Sequence, residues 1–370
     1  MDMSYSISNY PDMQELTLLF ARRRRALLRL LRKSHLIRRK RIIKNYSVLL
    51  HAALLYFVHQ YSFRRLALHM ALFYHVSMSD TAWEKQLAKF APVFWQAVQK
   101  ILSHTPAASS SAPLLALDAT HFSMQGSSVP PLRLHSCVST DSRTVEQLFL
   151  SDLHTPESVR HFSLRHGCCY LADRAYATSS QMAYMLEQNA DFIFRLSPSQ
   201  VKLFTSPQCA QRLDFQALLA QESFSVHCYF RYQRKVYGIR LVGTLLPQEK
   251  QDTAIQRTRK KSRKKQNRTR PSTLEYARWL LLATTLSDAG PNICETYRKR
   301  WQIELFFKTG KTLLNLHKLK RSSVQWANHQ IELWMTIVTY ISALYLEAQS
   351  ASLPLPSPFF AFALFLMLIS

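Results

Sequence analysis

The chain's 370 residues are 47% hydrophobic and 12% aromatic, enough for two or three domains with sizeable cores and too apolar for a disordered tail. Its 48 Lys and Arg outnumber 23 Asp and Glu, but residues 21–44 hold 12 bases and residues 256–270 hold nine, each without an acid, so the rest is near neutral at 27 against 23. Two basic strips on such a body point to a polyanion partner. The six glycines form no G-x-G-x-x-G, and Gly243 is followed by Thr244 rather than by a phosphate-cradling lysine, which argues against a nucleotide-driven motor or a nicotinamide enzyme.

Residues 12–104 read as mostly helical, opening on an Asp12-to-Glu15 cap. Ala21–Lys44 interleaves Leu27, Leu28, Leu30, Leu31, Leu36 and Ile37 with arginines, so one side can pack while the other is cationic. Ser62–Leu72 and Ser79–Leu87 read as two short amphipathic helices around a tight connection. The second has a Thr81/Glu84 capping-box spacing, and the pair is compatible with a helix-turn-helix. Residues 105–113 form a small-residue linker, after which the period changes to that of strands.

Leu114–Leu117 runs apolar into Asp118, and Cys168–Ala172 runs apolar into Asp173. Leu132–Val138 and Val145–Leu150 read as a hairpin, and Asp191–Leu196, Phe224–Tyr232, Val236–Leu246 and Ala277–Leu286 as further strands. Arg257–Arg270, almost without apolar residues, reads as a mobile loop. From Asn292 to about Gln349 the pattern is helical again, and the apolar run Phe359–Ile369 is too short to span a bilayer, so it reads as a core-packing helix or a divergent chain end. The six cysteines make no metal-ligand spacing and fit reduced thiols of a cytosolic protein, and no leader pattern opens the chain.

The candidate chemistry lies on two strand-end acids and one helical stripe. At 100° per residue, Tyr297, Arg300, Glu304 and Lys311 fall within an arc of roughly 60°, with Lys308 beside it. An Arg300–Glu304–Lys308 ion-pair ladder explains the charges but not Tyr297 or the flanking aromatics. Three carboxylates can hold two Mg²⁺ ions for phosphodiester chemistry, and cations beside them can hold the backbone.

These residues are where the chain resembles the DDE transposases of bacterial insertion sequences, in the subgroup marked by Tyr-x2-Arg-x3-Glu-x6-Lys, intact here as Tyr297, Arg300, Glu304 and Lys311. Asp118 in Leu-Asp-Ala-Thr is similar to the family's first acid. Asp173 in Ala-Asp-Arg-Ala-Tyr is similar to its second, with Ala175 where glycine is usual. Leu132–His135 resembles the strand after the first acid, and the text around Arg64, Arg65 and Asp80 the N-terminal DNA-binding region. The likeness covers roughly residues 45–345.

The resemblance implies an α/β (α+β) protein with a ribonuclease-H-like catalytic core, a β-rich insertion and a helical DNA-binding region ahead of it. The expected divisions are 1–105 (helical, DNA-binding), 106–190 (first part of the core), 191–290 (β-rich insertion with basic loop 256–270) and 291–370 (helical completion). It implies Asp118, Asp173 and Glu304 as catalytic and metal-binding residues, and Tyr297, Arg300, Lys308, Lys311, Arg174, Arg64 and Arg65 as DNA-binding ones. It further implies two Mg²⁺ ions, with Mn²⁺ as a substitute, and cut-and-paste strand cleavage and transfer, with a DNA hairpin formed in known members. The partners implied are inverted-repeat ends and target DNA, handled by a homodimer in a synaptic complex, in the bacterial cytoplasm at the nucleoid and not in a membrane. The rival readings are an inactive or truncated DNA-binding relic and a structure-specific nuclease of the same fold.

Overall fold

The computed structural model describes residues 11–37, 42–57, 60–102, 113–122, 132–141, 145–264, 266, 269–305, 307 and 324–350. Before residue 103 the apolar residues recur at helical spacing, and the chain forms α1 (Pro11–Lys33), α2 (Tyr46–Phe57), α3 (Phe63–Tyr74) and α4 (Asp80–Leu102). On α1, Phe20, Leu27 and Leu31 are buried while Arg22, Arg25, Arg29 and Arg32 are exposed, so this part of the first basic strip is the solvent face of a packed helix. Ser62 caps α3 by accepting from the Arg65 N–H, and His75 ends it in the left-handed region at φ 53°. The expected turn follows. However, α4 is one helix of 23 residues, and its cap falls on Ser79, whose Oγ accepts from the Ala82 N–H at 3.2 Å, two residues before the expected Thr81.

After residue 113 the period becomes two. β1 (Leu114–Phe122), β2 (Leu132–Ser139) and β3 (Val145–Asp152) form an antiparallel meander. β4 (Cys169–Ala172) lies parallel to β1, and β5 (Asp191–Arg195), reached through α5 (Ser179–Glu187), lies parallel to β4. The order β3-β2-β1-β4-β5 with these directions is the ribonuclease-H-like core.

The β-rich stretch beyond it holds a short α6 (Phe215–Leu219), then β6 (Ser223–Tyr232), β7 (Lys235–Leu245) and β8 (Trp279–Thr284). These strands join the core sheet: β8 pairs antiparallel with β5, β7 with β8 and β6 with β7, giving one eight-stranded sheet in the order β3-β2-β1-β4-β5-β8-β7-β6. Alternation within a segment identifies a strand but not its neighbour. The basic segment 256–270 is not simply the expected loop, because α7 (Gln248–Lys264) runs through most of it, followed by α8 (Pro271–Ala277). Lys, Arg and Gln favour helix, and nothing breaks the run before Pro271. A narrow face of Gln251, Ala254, Ile255 and Thr258 supplies the packing.

Alternation sorts the strand residues onto two faces. Leu115, Leu117, Tyr170, Ala172, Phe192, Phe194, Leu281 and Ala283 pack in one cluster with Met182, Ala183 and Met185 of α5. Cys169, Leu171, Ile193 and Leu282 face the other way, onto Ile293, Cys294 and Tyr297 of α9 (Gly290–Arg298). On that same side Ala116, Leu134 and Val138 join the core of the N-terminal helices and α10 (Val324–Ser350). Glu347 of α10 pairs with Arg22 and Arg23, tying the ends of the helical layer together. Counting in twos from Ala116 and Leu171 puts Asp118 and Asp173 on the α9 side. The six cysteines are free thiols, five of them buried. Among the described residues no helix is long and apolar enough to cross a membrane; the apolar run 359–369 lies outside them.

Candidate active site

β1 pairs with β4 only as far as Leu117↔Ala172, yet continues against β2 to Phe122. Asp118 is therefore not a strand terminus, as its apolar lead-in implied. It is the first β1 residue beyond the end of its parallel neighbour. The chain leaves β4 at Asp173, which heads a 3-10 turn over Arg174–Tyr176. A gap opens between the two strands, and both carboxylates border it.

Asp118 Oδ1 accepts from the Ala119 N–H at 2.8 Å, and its Oδ2 lies 4.0 Å from Arg300 Nη1. Burial pushes its pKa up to about 6; the Ala119 N–H and the Arg300 charge oppose the rise, while Glu157 and Asp173 add to it. Asp173 Oδ1 is buried and has no hydrogen-bond partner.

The third acid arrives from the other side. α9 ends at Arg298, the chain tightens through an i→i+3 bond from Arg300 N–H to Tyr297 O at 3.0 Å, and residues 301–305 resume a helix whose first turn adds Ile303 N–H to Arg300 O at 3.1 Å. The expected stripe is thus not one unbroken α-helix. The tighter winding sets residues three apart in line, which brings the Arg300 guanidinium to 5.7 Å from the Tyr297 ring centre. Arg300 Nη2 donates to Glu304 Oε1, so a single guanidinium lies between Asp118 and Glu304. Burial works against the Arg300 charge, but Tyr297, Glu304 and Asp173 outweigh it and hold the proton more firmly than usual. Tyr297 is 7% exposed with its hydroxyl unpaired, and burial first, then Asp173, pushes its pKa up to about 12 against Arg300 and Arg195.

Of the other expected residues, Arg174 stands beside Asp173, with burial and then Arg195 lowering its pKa. Arg64 and Arg65 lie on the exposed first turn of α3, Arg65 with its guanidinium 4.2 Å above the Tyr61 ring. Lys308 and Lys311 lie outside the described residues.

Three neighbours were not foreseen. Glu157 is near enough to Asp118 and Asp173 for their charges to interact; burial, then Asp173, raises its pKa against Arg133 and His121. Its loop is pinned by Arg133 Nη1 donating to Thr155 O at 2.6 Å and Gln181 Nε2 donating to Glu157 O at 3.2 Å. No spacing in the sequence marks it. Tyr176 is wholly buried with an unpaired hydroxyl, its pKa raised by burial and then by Glu157 and Asp118. Arg195 ends β5 as Asp173 follows β4, so the strand-end logic applied to the acids would have found it.

Among the described residues no three His, Cys, Asp or Glu side chains stand close enough together to hold a metal ion, and Arg300 is the cation between Asp118 and Glu304. The donor set nevertheless suits a hard divalent cation. It is all carboxylate, Asp173 Oδ1 has no partner, and Asp118 is held at a protonation balance that a nearby positive charge would tip toward the anion.

A profile of the transposase DDE domain matches residues 109–341, well over half of the chain and all of the sheet. The chain belongs to the transposase DDE domain family. InsL of insertion sequence element IS186A from Escherichia coli K12 is 25% identical over 316 residues, covering 80% of this chain and 84% of that protein. The transposase for insertion sequence element IS421 from Escherichia coli is 26% identical over 271 residues, 68% of this chain and 71% of the other. Among solved structures, the piggyBac transposase in a synaptic complex with hairpin DNA aligns over 98% of this chain and 81% of that one, at 9% identity and a TM-score of 0.46. The protein is a DNA transposase, an enzyme that cleaves and transfers DNA strands, and dependence on a divalent metal comes with the family. Neither the relic nor the structure-specific nuclease is favoured.

Proposed function

We propose that Asp118, Asp173 and Glu304 are the catalytic carboxylates of a cut-and-paste reaction at insertion-sequence ends and that together they hold two Mg²⁺ ions, with Mn²⁺ as a substitute. What carries this reading is Arg300. One guanidinium bridges Asp118 and Glu304, which are 186 residues apart in sequence, beside the unpartnered Asp173 oxygen. A mid-strand acid and a helical acid thus share one cation, and the acid that follows β4 contributes its charge to the same guanidinium. Bound divalent ions supply activation of the attacking water or 3′-hydroxyl and neutralise the leaving oxygen.

The chain's own groups position the DNA. Arg300 presents a planar fork whose two nitrogens suit phosphate oxygens as well as carboxylates. Tyr297 and Arg174 sit beside it, with Lys308 and Lys311 as further phosphate contacts and Arg64 and Arg65 as contacts made by the helical region. The DNA partners in this reading are inverted-repeat ends and target DNA, handled by a dimer in the bacterial cytoplasm at the nucleoid.

The test uses the full chain and a labelled duplex carrying the element's terminal repeats, with Asp118→Asn, Asp173→Asn and Glu304→Gln made singly. Each should lose cleavage by at least a hundredfold while binding the duplex within threefold of the parent. Retained cleavage in any one would remove that residue from the set. The mass of the DNA-bound complex reports whether two copies assemble.

A further inference from the structure

The second basic strip is a helix rooted at the catalytic edge of the sheet. Asp173 follows Ala172, which pairs with Phe194; the next residue of β5, Arg195, pairs with Leu282, and Leu282 pairs with Val242 of β7. The carboxylates, Arg195 and Val242 thus stand at one level. From there β7 runs on three residues to Leu245, and α7 begins at Gln248 beyond the same edge. β4 and β7 are three strand spacings apart, roughly 14 Å, and a 17-residue helix is about 25 Å long.

The root of α7 is fixed. Gln251 is buried; its Nε2 donates to Leu246 O at 2.6 Å and its Oε1 accepts from Arg278 Nε at 2.8 Å, joining the first turn to the end of β7 and the start of β8. The far half is different. Arg257, Arg259, Lys260, Lys261, Arg263 and Lys264 are all exposed, no acid lies among them, and among the described residues none is in an ion pair. Glu275 of the adjoining α8 is committed to Arg278. Six unneutralised charges on two turns repel one another, and their placement makes sense only against a dense line of negative charge. The covered face of α7, with Gln251, Ala254, Ile255, Thr258 and Ser262, has one large apolar side chain and not the broad apolar stripe of a membrane-surface helix.

We infer that the distal half of α7, residues 257–264, grips the phosphate backbone of the duplex flanking the bond held at the carboxylates, and does so by charge without reading bases. The placement relative to the cut rests on the active site proposed above; the grip itself does not. With about 14 Å to its strand and up to about 25 Å along the helix, its reach is comparable to one turn of duplex, about 34 Å, so the helix can hold the same DNA molecule that enters the proposed site.

The experiment compares the full-length protein with a variant in which Arg257, Arg259, Lys260, Lys261, Arg263 and Lys264 are all replaced by Gln, which keeps helix propensity. Affinity is measured from 50 to 200 mM salt on a duplex with the terminal repeats and on one of scrambled sequence. Each lost phosphate contact lowers the slope of log K against log salt by about 0.9, so the slope should become shallower by about 3 to 5 and to the same extent on both duplexes. Cleavage by the variant should return at low salt. An unchanged slope overturns the grip, and so does a loss confined to the terminal-repeat duplex, which would mean base reading. Displacement of DNA from the parent protein, but not from the variant, by phosphatidylserine vesicles would also overturn it in favour of a membrane surface. If the six-fold variant melts early, Arg257, Lys261 and Lys264 changed to Gln should still lower the slope by about 2. Asp118→Asn run in parallel separates the two readings: cleavage persisting there defeats the proposed pocket and leaves the salt slopes to judge the helix.

Discussion

Replacing Asp118 with Asn should make the metal-free protein more stable at neutral pH while abolishing cleavage. The folded state holds the Asp118 pKa at about 6, against an ordinary 3.8. Burial is the main cause, and the neighbouring Glu157 and Asp173 charges contribute. For an acid the sign runs against the usual case. Below its unfolded pKa the group is neutral in both states and costs nothing; as pH rises through 4 to 6 the unfolded chain ionises first, and stability falls until the folded group ionises too. At 1.36 kcal/mol per pKa unit the full loss above pH 6 is about 3 kcal/mol. The side chain is 24% exposed, so most of this survives solvent screening. Asn keeps an oxygen for the Ala119 N–H, and the 4.0 Å attraction to Arg300 is already contained in the net pKa rise, so discounting only for solvent screening leaves a net gain of about 2 kcal/mol, or roughly 3–6 °C in Tm. The assay is denaturation in EDTA at pH 4.5 and 7.5. The parent and Asp118→Asn should differ little at the lower pH and clearly at the higher, and millimolar Mg²⁺ should raise the parent's midpoint more than the variant's. A variant less stable than the parent at pH 7.5, or a gap independent of pH, would refute the electrostatic account of this site.

Arg300→Ala should retain Mg²⁺ binding yet lose at least tenfold in cleavage per folded molecule, with Arg300→Lys recovering only part, since a point charge replaces a fork; a destabilised but fully active Arg300→Ala would reduce Arg300 to a structural partner of Glu304. Glu157→Gln removes a charge that raises the Asp118 pKa, so the acidic limb of the single-turnover pH–rate profile should move to lower pH; an unmoved limb would detach Glu157 from the site. Gly243→Ala would set a Cβ about 2.3 Å from the Phe224 ring, its cross-strand partner, and should destabilise the protein by about 1–3 kcal/mol in urea titration.

Much of this was legible because it is local. The hairpin of β2 and β3, the four long-strand segments and the two-residue alternation that turns Asp118 and Asp173 to one face follow from periods within a single segment. The signature Tyr297-x2-Arg300-x3-Glu304 was legible as spacing, although the 3-10 turn beneath it was not, since i→i+3 and i→i+4 winding share nearly the same residue preferences. What was hidden depends on pairing between distant segments. Nothing in the text of β8 says that its partner is β5, and that single adjacency makes the inserted strands an extension of the core sheet and brings α7 to the edge that carries Asp118 and Asp173. Glu157 was hidden for the same reason: it reaches the pocket through Arg133 and Gln181, contacts made across 22 and 24 residues by a loop without a motif. The helix in the basic strip is hidden because its low apolar content resembles that of a loop, whereas one buried glutamine and a narrow face suffice to anchor it.

The charges around the proposed site and those on α7 then have one physical account. Carboxylates partly removed from water disfavour their charged forms, as the raised pKa of Asp118 and of Glu157 registers, and in the proposed site a phosphate would add like charge. Cations must therefore be supplied at two ranges. At contact range Arg300, with Arg174 and Arg195 behind it, offsets the acids within a setting too small for mobile ions to screen. At the range of a duplex turn, neutralisation works only on exposed side chains, and the inferred grip would account for bases on α7 left without acids instead of being paired off on the surface. If that division is right, the two sets respond differently to salt. Charge loss on α7 should be compensated by lowering ionic strength from 200 to 50 mM, whereas the defect of Arg300→Ala should persist across the same range. Equal salt sensitivity of both defects would mean that Arg300 acts as one more surface phosphate contact, and the pocket would need another counter-charge.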